Sequence, residues 1–227
     1  MSDPLRLVVF DVDGTLVDSQ GHIVSSMNAA FDSLGHPVPA RAAVLDLVGL
    51  SLDVLMPRLA PKLGPQDHGF LVQAYKDAYM AEREEAGTAL SSPLYGGALE
   101  CLHHLNALPD VVLGVATGKS KRGLDKLIEG HNLEGLFVTQ QVADFHPSKP
   151  HPAMLHAAMA EAGVDAVDAI MIGDTSFDMD MAKGADMRSI GVNWGYHSAD
   201  KLHAATRLVD NFEQLHVALS EMWSEHE

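Results

Sequence analysis

The sequence predicts an α/β fold, a parallel sheet with helices on both faces, interrupted after its first strand by an all-helical insertion. Three observations lead there. Short, mainly apolar runs at 5–10 (interrupted only by Arg6), 111–116 and 169–172 have the length and pattern of strands buried on both faces, and each ends in a polar, glycine-containing turn. From about residue 97 onward, strand-like runs alternate with helix-period stretches, as repeated βα units do. Between about 18 and 88 only helix-period apolar positions occur.

The first strand runs straight into Asp11-Val12-Asp13-Gly14-Thr15. Alternation along an extended backbone puts Asp11 and Asp13 on the same side, and Gly14 lets the chain turn away at once. Ligands of open α/β sheets bind outside the carboxyl ends of the strands, so the acid pair reads as a site. Taken alone, the stretch also fits an acidic turn capping a helix. In the insertion, Ile23, Met27, Ala30, Phe31 and Leu34 share one helix face before the breaks at Gly35 and Pro37. Further helices are expected over 40–48, 51–59 and 66–85. The methionine and aromatic positions there read as bundle core, because a small bundle must bury most of its apolar surface. Ligand contacts are expected from loops instead, at Gly49 to Ser51, with Arg58 either a contact or a solvated helix residue.

Beyond the insertion, helices are expected over 97–108, 121–129, 152–162, 176–183 and 212–224, with strands ending at Thr117 and Ile172, one near Phe137, and two at 189–192 and 207–209. The second strand ends in Thr117-Gly118-Lys119-Ser120, a hydroxyl and free backbone N–H groups at a helix start, which together can cradle a phosphate. Lys149, in Lys149-Pro150-His151-Pro152, is a cation set beside rigid prolines. The run 169–172 leads into Gly173-Asp174-Thr175-Ser176-Phe177-Asp178, two more carboxylates at a strand end. Singly, Thr117 also fits a helix N-cap, Lys149 a solvated side chain, and Asp174 and Asp178 caps or turn residues. The combination in this order is what is specific.

Composition narrows the partners. At 227 residues, 47% hydrophobic and 20% charged, the chain is ordinary globular material. A formal charge of −16 opposes nucleic acid and anionic membrane surfaces, and there is no basic patch. The same charge repels a phosphorylated substrate, so a site for one must be made locally positive by a metal, a lysine and helix N-termini. The single cysteine, Cys101, cannot form an internal disulfide, and no signal-peptide pattern opens the sequence, so a reducing cytoplasm is expected. The thirteen histidines are scattered, and His103 and His104 are neighbours pointing in different directions, unlike the i, i+4 pair of zinc sites. His146 and His151 flank Lys149 and are assigned to the surface.

Taken together, Asp11-Val12-Asp13-Gly14-Thr15, Thr117-Gly118, Lys149-Pro150-His151-Pro152 and Gly173-Asp174-Thr175 with Asp178 resemble the four motifs of the haloacid dehalogenase superfamily, within it the phosphatases and phosphomutases that carry a helical cap. The resemblance spans essentially the whole chain. His146-Pro147-Ser148 departs from relatives that carry glycine or basic residues there, which bears on loop shape. The family implies a Rossmann-like core over 1–17 and 89–227 and a cap over 18–88. It implies that Asp11 is a nucleophile forming an aspartyl phosphate and that Asp13 is the acid and base. Thr117, Gly118 and Lys149 would hold phosphoryl oxygens, and Thr15 would orient Asp13 or the nucleophile. Mg²⁺ would be bound by Asp11, the Asp13 carbonyl and Asp174, with Asp178 reaching through water. Oxygen-only ligands select this hard ion.

The implied activity is hydrolysis of a small phosphorylated metabolite, a phosphoglycolate-like or sugar phosphate monoester. Pro93-Leu94-Tyr95-Gly96-Gly97 and Gly191-Val192-Asn193-Trp194-Gly195-Tyr196 resemble phosphoglycolate phosphatases. A sugar-phosphate mutase of the β-phosphoglucomutase type would use the same residues. A dehalogenase would need neither Asp13 nor the metal carboxylates, and a phosphoacceptor switch would be shortened by Asp13. Monomer and homodimer remain equally open.

Overall fold

A computed structural model describes residues 4–224. Its six strands are β1 (Arg6–Phe10), β2 (Val111–Thr117), β3 (Phe137–Val142), β4 (Ala169–Gly173), β5 (Arg188–Val192) and β6 (Arg207–Val209). They form one parallel sheet in the order β3-β2-β1-β4-β5-β6. The order reverses around β1: the chain moves outward through β2 and β3, then returns to β4 on the other side of β1. The carboxyl ends of β1, β2 and β4 therefore meet where loops leave in opposite directions, the place at which open α/β sheets make crevices.

Alternation along β1 builds both layers. Leu7 and Val9 face Met154, Leu155 and Ala158 of α8 (Ala153–Ala162) and Met181 and Ala182 of α9 (Ser176–Gly184). Val8 and Phe10 belong to the opposite cluster, with Leu102 and Leu105 of α6 (Ala98–Asn106), Leu124 and Leu127 of α7 (Lys121–His131), and Leu215 and Leu219 of α10 (Phe212–Ser224). All four β1 residues Leu7 to Phe10 are fully buried, which is why that run carries no polar residue.

Between β1 and β2 lie α1 (Gln20–Ser33), α2 (Arg41–Leu45), α3 (Leu52–Leu59), α4 (Pro65–Ala86) and α5 (Thr88–Ser91). They have an apolar cluster of their own, centred on Ile23, Met27 and Phe31 of α1, Leu55 and Met56 of α3 and Leu71 of α4, against which Phe177 and Tyr196 also pack. Only Leu71 of the 22 residues in α4 is fully buried, so this helix is held by one narrow stripe. Truncating such a residue costs about 2–5 kcal/mol, so Leu71→Ala should loosen α4 from the bundle.

The expected helix over 40–48 is shorter than its pattern. It stops at Leu45, after which the Leu47 and Val48 N–H groups bond three residues back, to the Val44 and Leu45 carbonyls; the Asp46 carbonyl accepts from His197 Nε2 at 3.1 Å, and Gly49 turns at φ +99°. Residues 46–50 form a loop over the sheet ends. The short α5 has no counterpart in the sequence reading; Gly87, at φ +81°, ends α4 and starts it.

Candidate active site

The β1 ladder continues one residue past the strand, with Asp11 N–H donating to the Ile172 carbonyl at 2.9 Å, so Asp11 stands at the sheet end with β4 beside it. Next to it the Lys149 ammonium lies 2.8 Å from Asp11 Oδ1 and 2.6 Å from Asp178 Oδ1, and all three side chains are buried. Asp178 is held rigidly by a capping box at the start of α9. Its Oδ2 accepts from Thr175 N–H at 3.0 Å and from the Thr175 hydroxyl at 2.7 Å. Asp174 Oδ1 accepts from the Thr15 hydroxyl at 3.0 Å and Oδ2 from Tyr196 N–H at 2.8 Å.

Thr15 thus differs from the expectation. Its hydroxyl holds Asp174, not Asp13 or the nucleophile, because the turn at Gly14 carries it back under β4. Gly14 has φ +86°, and a Cβ there would come within 2.2 Å of Asp174 Oδ2, so both backbone and space require glycine.

Ligand oxygens of Asp11, Asp174 and Asp178 lie within 4.8 Å of one another, all buried. Burial pushes the Asp11 carboxyl up to about 7 despite the opposing Lys149, with Asp178 adding to the rise. Asp174 is held well above the usual carboxylate range by burial, then by Asp178 and Asp11. Burial would lower the Lys149 ammonium, but Asp11 and Asp178 outweigh it and hold it above its ordinary value. Apart from the ion pair with Lys149, neither Asp11 oxygen has a hydrogen-bond partner among the described residues. Three buried carboxylates with one lysine between two of them, and with Asp11 Oδ2 unpartnered among the described residues, are a donor set that a hard divalent cation fits.

Asp13 is handled differently. Lys119 Nζ reaches both of its carboxylate oxygens, at 2.7 and 2.8 Å, and the Ser19 hydroxyl donates to Oδ1. Ser19 Oγ is 3.0 Å from the Tyr196 hydroxyl, and Lys119 also donates to the Tyr79 hydroxyl of α4 at 3.3 Å. The sequence reading quoted Lys119 and Tyr196 without giving either a role, and it missed Ser19 and Tyr79. A lysine following Thr117-Gly118 at a strand end, across from an acid pair, was the available signal for Lys119.

Thr117 is buried at the end of β2, with its Oγ1 accepting from Lys119 N–H at 3.2 Å. At Gly118 a Cβ would meet the Gly49 carbonyl at 2.6 Å, so this glycine admits the insertion's loop. That loop is pinned a second time, by Ser51 N–H donating to Ser148 Oγ at 2.9 Å. The departure His146-Pro147-Ser148 therefore makes a contact with the insertion. His146 pairs with Gln141 and His151 accepts from Ala153 N–H, so neither reaches the acids.

A cavity of about 410 Å³ opens onto Asp11, Asp13, Thr117, Gly118 and Lys119, with the 48–50 loop, residues of α1, α3 and α4, the start of α7 and Asp144 also lining it. Leu50 lines it as expected of the loop. Arg58 does not; it is exposed on α3, and the arginine of the insertion that reaches the cavity is Arg83 of α4.

The family model described as haloacid dehalogenase-like hydrolase matches residues 8–192. The chain belongs to that family. It is 35% identical over 213 residues to "Probable phosphatase IndB" of Dickeya dadantii, covering 92% of this chain and 91% of that protein. It is 28% identical over 209 residues to a phosphoglycolate phosphatase of Vibrio parahaemolyticus, covering 88% and 89% respectively. Among solved structures, a predicted phosphatase from Clostridium acetobutylicum superposes with TM-score 0.84 at 26% identity, over 96% of this chain and all of that one. No helix among the described residues is long and apolar enough to cross a membrane.

Proposed function

We propose that the protein is a Mg²⁺-dependent phosphatase that hydrolyses a small phosphorylated metabolite through an aspartyl phosphate on Asp11. The observation that carries the reading is Asp11 itself: a buried carboxylate with Oδ2 unpartnered among the described residues, next to Lys149, facing the same cavity as a second acid held separately. Asp11 attacks phosphorus and the P–O bond to the alcohol breaks, while Asp13 gives the leaving oxygen its proton. Asp13 then takes a proton from the water that attacks the aspartyl phosphate, returning Asp11 and releasing phosphate. Thr117, the Gly118 N–H and Lys149 hold the phosphoryl oxygens. Asp11, the Asp13 carbonyl and Asp174, with Asp178 through water, would hold Mg²⁺, which would supply charge neutralisation between the anionic nucleophile and the phosphate.

Residues 18–88 act as a cap on a core of 1–17 and 89–227, excluding water and selecting the alcohol. Hydrolysis is favoured over phosphoryl transfer to a second sugar hydroxyl because both relatives described above are named as phosphatases. A cytoplasmic setting suits the buried free thiol of Cys101, whose pKa burial pushes up to about 12. The test is phosphate release from a panel of phosphorylated metabolites with Mg²⁺, for the protein and for Asp11→Asn. Release that survives Asp11→Asn in a folded protein would overturn the assignment.

A further inference from the structure

The cavity over Asp11 is larger and more apolar than a two-carbon acid needs. Its 410 Å³ correspond to about fourteen water volumes at ~30 Å³ each, whereas phosphoglycolate has only about nine non-hydrogen atoms, each no larger than a water. The wall contributed by the insertion includes Met27, Leu50, Leu55 and Met80, the first three almost completely buried in the molecule. A carboxylate set against such side chains loses its hydration without a partner. The unpaired cations of the cavity, Lys76, Arg83 and Arg122, do not change this. Lys76 and Arg122 are exposed and Arg83 half-buried, so they stand at the rim, where they favour entry of a phosphate dianion into a chain of charge −16.

Other polar side chains also line the cavity, and of these Gln73, Tyr79 and Asp144 have hydrogen-bond partners within the protein. Tyr75 of α4 lines the same cavity, and its hydroxyl makes no hydrogen bond to any described residue. Burial, followed by the nearness of Tyr79 and Asp13, raises the phenol well above its ordinary pKa, so it is present as a neutral donor beside the acid that serves the leaving oxygen. A half-buried hydroxyl that lines the cavity without a protein partner is open to an acceptor on a ligand.

Resting on the phosphatase reading above, we infer that the natural substrate is the phosphate monoester of an alcohol with a mainly apolar body, a ring or branched chain well beyond glycolate in size. Close to the ester it carries one oxygen or nitrogen that accepts a hydrogen bond from the Tyr75 hydroxyl. The apolar wall reads the size of the alcohol and Tyr75 reads the position of its polar atom, since a site built to donate a hydrogen bond discriminates strongly against an analogue lacking the acceptor.

The test compares kcat/KM with Mg²⁺ for phosphate esters of primary alcohols: phosphoglycolate, ethyl, n-hexyl, 3-phenylpropyl and 2-phenoxyethyl phosphate. From ethyl to hexyl, kcat/KM should climb by up to about fourfold per methylene. The phenyl-bearing esters should exceed phosphoglycolate, and Met80→Gln should flatten the climb. Tyr75→Phe should lower kcat/KM for 2-phenoxyethyl phosphate and leave its ratio to 3-phenylpropyl phosphate near one. A flat or falling series with phosphoglycolate fastest would overturn the inference while leaving the phosphatase reading intact, and equal losses in Tyr75→Phe on both phenyl esters would remove the role of Tyr75. Absence of turnover on every ester would overturn the phosphatase reading and this inference with it.

Discussion

Lys119 grips Asp13 by both carboxylate oxygens, at 2.7 and 2.8 Å, in a part-buried pocket that also includes Ser19, Tyr79 and Tyr196. The two acids at the end of β1 thus have different partners: Asp11 shares Lys149 with Asp178, whereas Asp13 has Lys119 to itself. The Lys119 ammonium, which burial alone would lower, is raised above its ordinary pKa by Asp13 and Tyr79. Beyond Lys149, the Asp11 carboxylate has no hydrogen-bond partner among the described residues, and Asp13 is fixed in position beside it. Tyr79 belongs to α4, so the fixing also ties the insertion to the acid.

Removing Lys119 should therefore act through Asp13. Lys119→Met is expected to lower kcat by up to ~10²-fold, the lower end of what a positioned acid–base group contributes. In the double variant with Asp13→Asn the two losses should not add, because both substitutions disable one unit. Steady-state kinetics on the four proteins checks this, and fully additive losses would show that Lys119 serves the phosphate independently.

Asp11→Asn should abolish turnover, since an amide is a poor nucleophile and the substitution removes one of three buried carboxylates that converge within 4.8 Å. Asp13→Asn should lose about 10²–10⁴-fold in kcat. After mixing with substrate and Mg²⁺, acid-quenched Asp13→Asn should retain a protein-bound phosphoryl group more readily than Asp11→Asn, as seen by intact mass. A label on Asp11→Asn would place the nucleophile elsewhere.

Chelation should stop catalysis, and Mg²⁺ should raise Tm, by about 2.7 kcal/mol of added stability at 100 times Kd. The pH dependence has a definite sign. Without metal, Asp11 at about 7 and Asp174 well above its ordinary range bind protons in the folded state that the unfolded chain has released. Their contribution is fully present below the ordinary carboxylate pKa, and that of Asp11 is lost as pH rises through about 7. Metal must displace those protons, so the Mg²⁺-induced rise in Tm should be larger at pH 8 than at pH 5.5. Thermal shift at both pH values, with and without chelator, measures it; a rise that shrinks toward pH 8 would contradict the assignment.

The sequence carried the sheet and the acids clearly because both depend on local pattern. Leu7 to Phe10 are apolar at every position since both faces are covered, and the four motif segments sit at strand ends that apolar runs reveal. What escaped it depends on contacts across the chain. Thr15 reaches Asp174, 159 residues away, and that pairing follows from how the Gly14 turn meets β4 and from nothing in the neighbourhood of Thr15. Ser19 and Tyr196 meet at Asp13 across a separation of 177 residues. The loop that replaces the end of the expected 40–48 helix is likewise tied across the chain, the Asp46 carbonyl accepting from His197, 151 residues away. Arg58 and Arg83 were indistinguishable by charge and helix periodicity; only the packing of α4 over the strand ends brings Arg83 to the cavity.

The contact between Gly49 and Gly118 yields the last prediction. Gly118 follows the last residue of β2 and Gly49 sits at φ +99° in the insertion's loop, with the Gly49 carbonyl where a side chain at 118 would have to be. Gly118→Ala places a methyl group 2.6 Å from that carbonyl oxygen and 3.0 Å from the Leu50 carbonyl. These are backbone atoms that cannot rotate aside, so the loop must lift. Lifting it moves Leu50 out of the cavity wall and strains the Ser51 to Ser148 hydrogen bond, while the Asp11, Asp174 and Asp178 cluster, at the ends of β1 and β4 and on α9, is untouched. Gly118→Ala should accordingly keep the Mg²⁺-induced rise in Tm and lose kcat/KM on metabolite-sized esters, by ~10² or more given the sensitivity of catalysis to ~1 Å misplacement. A smaller loss is expected on acetyl phosphate, whose leaving group does not need the Leu50 wall. Ser148→Ala should reproduce the same direction more weakly, because it releases the loop without pushing it. Loss of the Mg²⁺ response in Gly118→Ala would mean that the loop contact supports the metal cluster itself, and equal losses on acetyl phosphate and larger esters would mean that the loop acts in the chemical step and not on the choice of alcohol.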